Sequence, residues 1–300
     1  MRILITGGAG FIGSHIAQAC VEKGFETYIF DDLSTGREEN LFPEAHFIKG
    51  DLADAPLEDL LADIQPDYLI HEAAQASVPV STKDPCRDAE INILGTVRLL
   101  EAAKKSNVKK VVYASSAAVY GNPVRLPIDE SHPQHPLSFY GVSKYVPEFY
   151  LDLYWKHFGL PYTVLRYANV YGPRQVAHGE GGVVAIFADK IKRGEKLSVY
   201  GDGDQTRDFI YVSDVVAANL AALERGTGEI FNIGTGIPTS VNQLIKAFEE
   251  ILGHPVEKEY LPPREGDIRD SLFHINKAVK ELAWSPKVSL AEGLRRTLSS

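Results

Sequence analysis

Residues 1–15 read MRILITGGAGFIGSH. A short apolar strand is predicted over residues 1–6, and it runs directly into Gly7, Gly10 and Gly13, which have the spacing G-x-x-G-x-x-G. Glycines at a strand-to-helix turn permit a tight turn, close approach of the backbone to a pyrophosphate, and packing of the helix on the strand. The N–H groups that open the following helix, together with its dipole, attract an anion. This stretch therefore predicts a dinucleotide-binding site.

Strands and helices alternate over the first half of the chain. Apolar or alternating runs predict strands over residues 1–6, 26–30, 46–49, 67–71, 111–114 and 162–166. Helical periodicity runs over residues 16–23, about 88–106 and about 138–158. This alternation is typical of an α/β fold with a parallel, doubly wound sheet of the Rossmann type, covered by helices on both faces.

The pattern also predicts two interleaved lobes. We expect a Rossmann domain over residues 1–170, to which residues 208–236 return as a strand, a helix and a strand of the same sheet. Residues 171–207 and 237–300 are expected to form a smaller substrate-binding lobe. That lobe includes a helix predicted from about residue 183 to 193 and a strand near 197–200.

Composition limits the classes of partner. Of the 300 residues, 44% are hydrophobic and 24% are charged, which is typical of a globular enzyme with a large core. A net charge of −9 argues against nucleic acid as a partner. The chain opens with a strand, shows no charged-then-apolar leader and has no apolar run near the ~20 residues of a membrane span, so a cytoplasmic location is expected.

The sequence lacks the motifs typical of metal sites and of serine hydrolases. Cys20 and Cys86 lie outside any C-x-x-C pair, and no H-E-x-x-H or P-loop motif occurs, so no metal site is expected. His132 and His135 stand beside prolines in a loop. A hydrolase is not favoured either, because the G-x-S-x-G elbow does not occur.

Acidic and small residues follow the next predicted strands. Asp31 and Asp32 stand about 20 residues beyond the glycines, where a carboxylate binds the adenosine ribose hydroxyls. Because this charge repels a 2′-phosphate, NAD is predicted rather than NADP. The turn at Asp51 and Leu52 is placed to approach the adenine ring. Small residues after the fourth strand leave room for a cofactor, namely Ala73, Ala74 and Ala76.

Tyr140 and Lys144 are four residues apart on one predicted helix, so they share a face. The spacing alone is weak evidence, because the chain contains 14 tyrosines and many lysines. Position strengthens it: the helix follows a strand that ends in Ser115 and Ser116, where the reactive ring of a cofactor lies in this fold. A lysine ammonium lowers the pKa of a neighbouring tyrosine. Catalysis is favoured for Ser116, whereas Ser115 is equally consistent with strand-end hydrogen bonding.

At this point the sequence resembles the extended short-chain dehydrogenase/reductases that act on nucleotide sugars, and within them the 4-epimerases of UDP-hexoses. The motifs that carry the resemblance span nearly the whole chain and stand in one order. They are residues 6–15 (TGGAGFIGSH), 31–36 (DDLSTG), 50–52 (GDL), 71–75 (HEAAQ), 115–121 (SSAAVYG), 140–144 (YGVSK), 166–174 (RYANVYGPR), 207–209 (RDF), 232–234 (NIG) and 264–267 (REGD).

The resemblance implies a redox-neutral reaction on a UDP-sugar. Tyr140 takes the proton of the 4-hydroxyl, hydride passes from C4 to tightly held NAD+, the keto sugar turns over, and hydride returns to the other face. Lys144 bonds the nicotinamide ribose and lowers the tyrosine pKa, while Ser116 orients the hydroxyl. A homodimer formed through the helices that contain Asn92 and Tyr140 is also implied.

The resemblance also assigns binding residues. The implied cofactor-binding residues are Gly7, Gly10, Phe11, Ile12, Gly13, Asp31, Asp32, Ser34, Thr35, Gly36, Asp51, Leu52, Ala73, Ala74, Ala76, Asn92, Tyr140, Lys144 and Ala168. The implied substrate-binding residues are Ser116, Tyr140, Asn169, Val183, Tyr200, Arg207, Arg264, Asp267 and Ser271. From the residues alone, without the resemblance, Arg207 and Arg264 would be interpreted as solvated surface residues.

Two departures from relatives narrow the expected chemistry. Nucleotide-sugar 4,6-dehydratases carry an acidic pair just after the catalytic hydroxyl, whereas this chain has Ala117 and Ala118. Epimerases restricted to glucose and galactose tend to have a bulky residue four positions after the aspartate of the R-x-G-D motif, whereas this chain has Ser271. Epimerisation, with 2-acetamido sugars also admitted, is therefore the expectation.

Other functions remain open from sequence alone. Another NAD-dependent nucleotide-sugar epimerase, a 4,6-dehydratase or decarboxylase, and a non-enzymatic NAD-binding regulator are the alternatives. A non-enzymatic regulator would be expected to lack Tyr140, Lys144 or Ser116, but the chain has all three residues. An acidic sugar would require a further cation, for which Arg174 and Arg269 are the candidates.

Overall fold

A computed structural model describes residues 1–177, 182–263, 266 and 268–300. The strands in these ranges are β1 (Arg2–Thr6), β2 (Glu26–Asp31), β3 (His46–Lys49), β4 (Tyr68–His71), β5 (Lys110–Ser116), β6 (Tyr162–Tyr167), β7 (Asn169–Tyr171), β8 (Leu197–Tyr200), β9 (Thr206–Tyr211), β10 (Glu229–Ile233), β11 (Pro238–Ser240) and β12 (Lys258–Leu261).

The α-helices alternate with these strands. They are α1 (Phe11–Glu22), α2 (Leu57–Ile64), α3 (Val78–Lys83), α4 (Pro85–Ala89), α5 (Thr96–Lys105), α6 (Phe139–Phe158), α7 (Val183–Lys192), α8 (Val212–Glu224), α9 (Val241–Leu252) and α10 (Leu290–Leu298). Within the described ranges, no helix is long and apolar enough to cross a bilayer.

Seven strands form one parallel sheet in the order β10-β6-β5-β4-β1-β2-β3. The chain passes outward from β1 to β3 on one side and from β4 to β6 on the other. The two directions meet between β1 and β4, where Thr6 pairs with His71 at the carboxyl ends. This reversal creates the crevice in which doubly wound sheets bind their ligands. The predicted fold class is confirmed.

Alternation along the strands builds a core on each face of the sheet. In β1, Ile3 and Ile5 join the apolar cluster beneath α1 and α8, whereas Leu4 joins the cluster beneath α2, α5 and α6. All three side chains have no exposed surface. Because both faces are covered, the strand sequence is continuously apolar, as expected for a buried parallel sheet.

The segment 208–234 departs in part from its predicted pairing. Strand β10 does extend the main sheet, beside β6. Strand β9, however, lies in a separate three-stranded sheet, parallel to β7 and antiparallel to β11. The edge position beside β6 is filled by β10, so β9 pairs instead with the short strand β7 that follows β6. The exact lobe boundaries stay a prediction.

Candidate active site

The turn between β1 and α1 is built on its glycines. Gly7 has a φ of +71°, and a Cβ there would lie 2.6 Å from the backbone nitrogen of Ala73. A Cβ on Gly13 would lie 2.1 Å from the carbonyl oxygen of Gly7, so helix and turn pack without room for a side chain. Gly10 is the N-cap of helix α1, so the helix has no side-chain cap, and its first turn contains no acid. Its first N–H groups, at Phe11 and Ile12, are therefore available to an anion such as a pyrophosphate.

Asp31 ends β2 beside this turn and is only 6% exposed. Its carboxylate accepts a hydrogen bond from the backbone N–H of Ala9 at 3.0 Å. Burial raises the pKa of Asp31, and the backbone donors oppose that rise. Asp32 instead orders the exposed part of the loop 34–36, because it accepts from both the backbone N–H and the hydroxyl of Ser34, at 2.8 and 2.6 Å. The acidic residue predicted for the ribose is thus anchored to the glycine turn.

The side chain of Asp51, a residue predicted to lie near the adenine ring, is held in place by neighbouring groups of the protein. Burial raises its pKa, but the N–H of Ala53 at 2.9 Å and an ion pair with Arg87 outweigh burial, so the net pKa is lowered. Arg87 also pairs with Glu90 at 2.6 Å. Leu52 is buried, and its carbonyl accepts from a neighbouring arginine. The Asp51 carboxylate therefore already has a cationic partner from α4.

Asn92 lies in a π-helical turn, Glu90–Gly95, between α4 and α5. Its amide accepts from the N–H of Gln75 at 2.8 Å and donates to the Gln75 carbonyl at 2.9 Å and to the Ser143 hydroxyl at 2.9 Å. Asn92 therefore ties α6 to the segment after β4. That segment contains the small residues predicted to face the cofactor, Ala73, Ala74 and Ala76. Direct contact of Asn92 with the cofactor stays a prediction.

Ser116 and Tyr140 meet at the end of β5. Ser138 caps α6 by accepting from the backbone N–H of Gly141 at 3.0 Å, which places Tyr140 in the first helical turn. Burial raises the pKa of Tyr140, and hydrogen bonding with the side chain of Ser116 acts against the rise. The serine is itself held, since its Oγ accepts from the N–H of Ala118 at 3.2 Å.

Lys144 lies one helical turn beyond Tyr140 and is 4% exposed. Its Nζ sits 4.6 Å from the centre of the Tyr113 ring. Burial lowers the pKa of Lys144 to about 8, and the negative charges of Glu72 and Glu148 limit the fall. A buried lysine one helical turn from a tyrosine is an arrangement that supports acid–base chemistry at an alcohol.

Ser115 has a different role from Ser116, because adjacent strand residues point to opposite faces. Its hydroxyl donates to Glu148 at 2.6 Å, so strand-end hydrogen bonding is the role the structure gives it. Glu148 also accepts from Arg166 at 3.0 and 2.5 Å, and both side chains are buried. The sequence analysis did not identify this pair. Two signals were available: Glu148 follows Lys144 by four residues on the same helical face, and an arginine inside buried strand β6 requires an acidic partner.

The predicted substrate residues lie mainly around β7, β9 and α7. Asn169 starts β7, Val183 starts α7 and Tyr200 ends β8. Arg207 lies on β9 and donates to the carbonyl of the preceding residue at 2.9 Å, and the same carbonyl accepts from the N–H of Ser271 at 3.2 Å. Ser271 thus lies beside β9. Arg264 and Asp267 lie outside the described residues. Convergence of this set on one ligand stays a prediction.

Two arginines considered for an acidic sugar have other partners. Arg174 donates to Ser14 and Gln18 of α1, at 3.2 and 2.7 Å. Arg269 pairs with Asp202 at 2.8 Å. Each guanidinium is therefore engaged by protein acceptors rather than held ready for a carboxylate of the substrate.

The reversal of the sheet at β1 and β4, with a Ser-Tyr-Lys group beside it, defines an extended short-chain dehydrogenase/reductase. The chain belongs to the NAD-dependent epimerase/dehydratase family, whose model matches residues 3–234. This membership confirms the predicted NAD cofactor and the family suggested by the motifs.

Relatives and solved structures resemble the chain over nearly its whole length. A UDP-glucose 4-epimerase of Mycolicibacterium smegmatis is 44% identical, covering 99% of this chain and 97% of the relative. The crystal structure of a UDP-glucose 4-epimerase of Thermotoga maritima with UDP-glucose is 49% identical with a TM-score of 0.97, covering 100% and 98% of the two chains. A Thermus thermophilus UDP-glucose 4-epimerase in complex with NAD is 40% identical with a TM-score of 0.93, covering 100% and 98%.

Proposed function

We propose that this protein is a UDP-glucose 4-epimerase, which interconverts UDP-galactose and UDP-glucose with tightly bound NAD+. The observation that carries the proposal is that Tyr140, with Lys144 one turn further along α6, lies where the start of this helix packs against the turn that follows Ser116. Relatives at 44% and 49% identity that bear this name support the choice of substrate.

The residues of the crevice fit NAD+. The uncapped start of α1 suits the pyrophosphate, and the buried Asp31 suits the adenosine ribose. When bound, NAD+ supplies the acceptor and then the donor of a hydride at C4 of the sugar. Tyr140 accepts the proton of the 4-hydroxyl and later returns it, while Ser116 holds the tyrosine oxygen in place. The Lys144 ammonium stabilises the phenolate form of Tyr140, which is the form that accepts the proton and that is restored when the proton is returned.

Epimerisation is favoured over dehydration by the turn that follows β5. Elimination of water from a keto sugar requires an acid to protonate the leaving hydroxyl. Ala117 and Ala118 occupy the helical turn directly after Ser116, and neither carries an ionisable group. A product that retains its 6-hydroxyl is therefore expected.

We also propose that the sugar pocket accepts 2-acetamido sugars. Ser271 is partly buried next to β9, which also carries Arg207. A serine at this position occupies far less volume than an aromatic side chain, which leaves room for an N-acetyl group.

The function is tested on purified protein to which no cofactor is added. We expect UDP-galactose to be converted to UDP-glucose, and about one NAD+ per chain to be released on denaturation. UDP-N-acetylglucosamine should likewise yield UDP-N-acetylgalactosamine. Bound NAD+ without any hexose product would contradict the proposed activity, and turnover of UDP-glucose alone would contradict the proposed substrate range.

The outer face of α6 supports the proposal of a homodimer. Val142, Phe149 and Leu153 are 42%, 54% and 48% exposed, at helical spacing, while Leu151 on the opposite face is buried. Leu94, just before the neighbouring helix α5, is 58% exposed. A helix that is apolar on all sides is normally buried, so this face calls for a partner. We infer that a second copy of the chain covers it.

Leu153→Glu should therefore dissociate the dimer. A carboxylate at the centre of an apolar interface is expected to raise the dimer dissociation constant by ~100-fold or more. The mass measured by light scattering after size-exclusion chromatography reports the change. Val124→Glu is the matched control, because Val124 is 70% exposed in a loop outside α6. A monomeric parent protein, or a Leu153→Glu variant that stays dimeric, would refute the assignment of this face.

A further inference from the structure

The first turn of α6 presents backbone N–H groups that the helix itself cannot satisfy. The N–H of Val142 donates to the carbonyl of Ser138 at 3.0 Å, which is the first hydrogen bond of the regular helical pattern. The N–H of Gly141 is satisfied by the hydroxyl of Ser138, the N-cap residue. Tyr140 is the second helical residue, so its N–H has no carbonyl of the same helix to donate to.

Ser81 of the short helix α3 supplies the acceptor. Its Oγ accepts from the backbone N–H of Tyr140 at 3.1 Å, although the two residues are 59 positions apart in the sequence. The same hydroxyl donates to the carbonyl of Val78 at 2.6 Å. Because a serine hydroxyl has one proton and two lone pairs, the bond to Val78 uses the proton and leaves a lone pair for Tyr140. Ser81 has no exposed surface, so bulk water does not reach this hydroxyl.

The position of α3 is fixed by its N-cap and by Gln75. Ser77 caps the helix, because its hydroxyl accepts from the N–H of Val80 at 3.0 Å. The side-chain amide of Gln75 accepts from the N–H of Ser77 at 2.6 Å and donates to the Ser77 carbonyl at 2.9 Å. It also donates to Asp88 of α4 at 2.7 Å. Ser81 therefore lies on a segment that is tied to the loop after β4 and to α4.

The carbonyl of Tyr140 is held as well. It accepts from the hydroxyl of Ser143 at 3.1 Å, and that hydroxyl accepts from the amide of Asn92 at 2.9 Å. Both backbone polar groups of Tyr140 are therefore bonded to serine hydroxyls. Asn92 was already expected to bind the cofactor, whereas Ser81 has no assigned role.

We propose that Ser81 is a positioning residue of the epimerase: its hydroxyl holds the backbone of Tyr140 and so sets where the phenol lies in the active site. This inference rests on the proposed function, since it takes Tyr140 as the acid–base group. A phenol exchanges a proton with a sugar hydroxyl only within hydrogen-bond reach, so a small displacement of the first turn of α6 affects the rate. Ser81 acts through Tyr140 and needs no contact with the substrate.

Ser81→Ala removes the acceptor at the cost of a single oxygen atom. We expect kcat for UDP-galactose to fall about tenfold, because the reacting oxygen is held less closely, while KM stays within about twofold. The amount of NAD+ released on denaturation should equal that of the parent protein. A purely structural role would instead lower bound NAD+ and turnover in parallel, and that result overturns the proposal.

Thr82→Ala is the matched control on the same helix. The hydroxyl of Thr82 donates to the same carbonyl of Val78, at 3.2 Å, but Thr82 is exposed. We expect this variant to keep kcat within about twofold of the parent value. A kcat for Ser81→Ala that is no lower than the kcat for Thr82→Ala overturns the proposal.

The backbone amide of Tyr140 supplies a readout that requires no turnover. Its hydrogen exchange in the holoenzyme, followed by NMR, should be at least about tenfold faster in Ser81→Ala than in the parent or in Thr82→Ala. Unchanged exchange at Tyr140 overturns the proposal even if kcat falls. If UDP-galactose is not converted by any of these proteins, the proposed function fails, yet the exchange rate still decides whether Ser81 holds Tyr140.

A change in the backbone tests the same bond from the other side. Replacing Tyr140 by its α-hydroxy acid, through nonsense suppression, exchanges the N–H for an oxygen and keeps the phenol. We expect kcat to fall as it does in Ser81→Ala, and the combined variant to lose less than the product of the two single effects. Losses that multiply fully would show that the two groups act independently, which overturns the proposal.

Discussion

Tyr140→Phe is expected to abolish epimerase turnover while NAD+ stays bound. The variant removes one oxygen, which is the atom that accepts and returns the substrate proton. Loss of a positioned acid–base group typically costs about 10²- to 10⁴-fold in rate, and no other hydroxyl is proposed to take the proton here. The measurement is kcat for UDP-galactose together with the amount of NAD+ released on denaturation.

A control variant, Tyr260→Phe, shows whether the loss of activity is specific to the hydroxyl of Tyr140 or follows from removing any tyrosine hydroxyl. Tyr260 is 53% exposed on β12, and Tyr260→Phe should keep kcat within about twofold of the parent. If Tyr140→Phe keeps most of its activity, Tyr140 is not the acid–base group. If the variant loses its NAD+ as well, the tyrosine is needed for cofactor binding, and the rate alone no longer assigns its role.

The nucleotide-binding half of the fold follows from local sequence signals. Glycine spacing predicts the turn before α1, and short apolar runs predict strands such as β3 to the residue. The fifth strand was predicted from Val111 and to end in Ser115 and Ser116, and β5 does end at Ser116, where both serines pair with β6.

Contacts between distant segments were not available from local patterns. The separate sheet of β7, β9 and β11 depends on which strand takes the edge beside β6, and no single segment encodes that choice. Asn92, Ser81 and Glu148 likewise act through partners on other elements. The sequence did predict Tyr140, Lys144 and Ser116. In this fold the carboxyl end of β5 lies beside the start of α6, so position along the chain was enough to bring these residues together. Arg264 and Asp267, predicted from the R-x-G-D motif, stay untested.

The buried pair of Glu148 and Arg166 connects fold stability to the active site. Glu148 lies on the same helix as Tyr140 and Lys144, and its carboxylate also accepts from Ser115, the neighbour of Ser116. The pair therefore fixes the end of β5 against α6. Arg166 extends the connection, because it donates to the hydroxyl of Tyr120 at 2.8 Å.

Arg166→Met should be the most destabilising of the proposed substitutions. The side chains of Arg166 and Glu148 are 2% and 3% exposed, so the variant leaves a buried carboxylate with no cationic partner. Breaking such a pair by removing one partner costs about 3–5 kcal/mol. The free energy of unfolding in urea, measured at fixed protein and NAD+ concentrations, reports the loss.

A second substitution identifies the cause of that loss. Glu148→Gln removes the stranded charge but keeps an acceptor for Ser115, so the double variant Glu148→Gln/Arg166→Met should be more stable than Arg166→Met alone. If the two losses simply add, lost packing rather than the unpaired charge explains the effect. Arg193→Met breaks exposed pairs with Asp189 and Glu195 and should cost less than about 1 kcal/mol. The contrast with Arg166 follows from burial, because only the interior withholds the water that would otherwise solvate the remaining carboxylate.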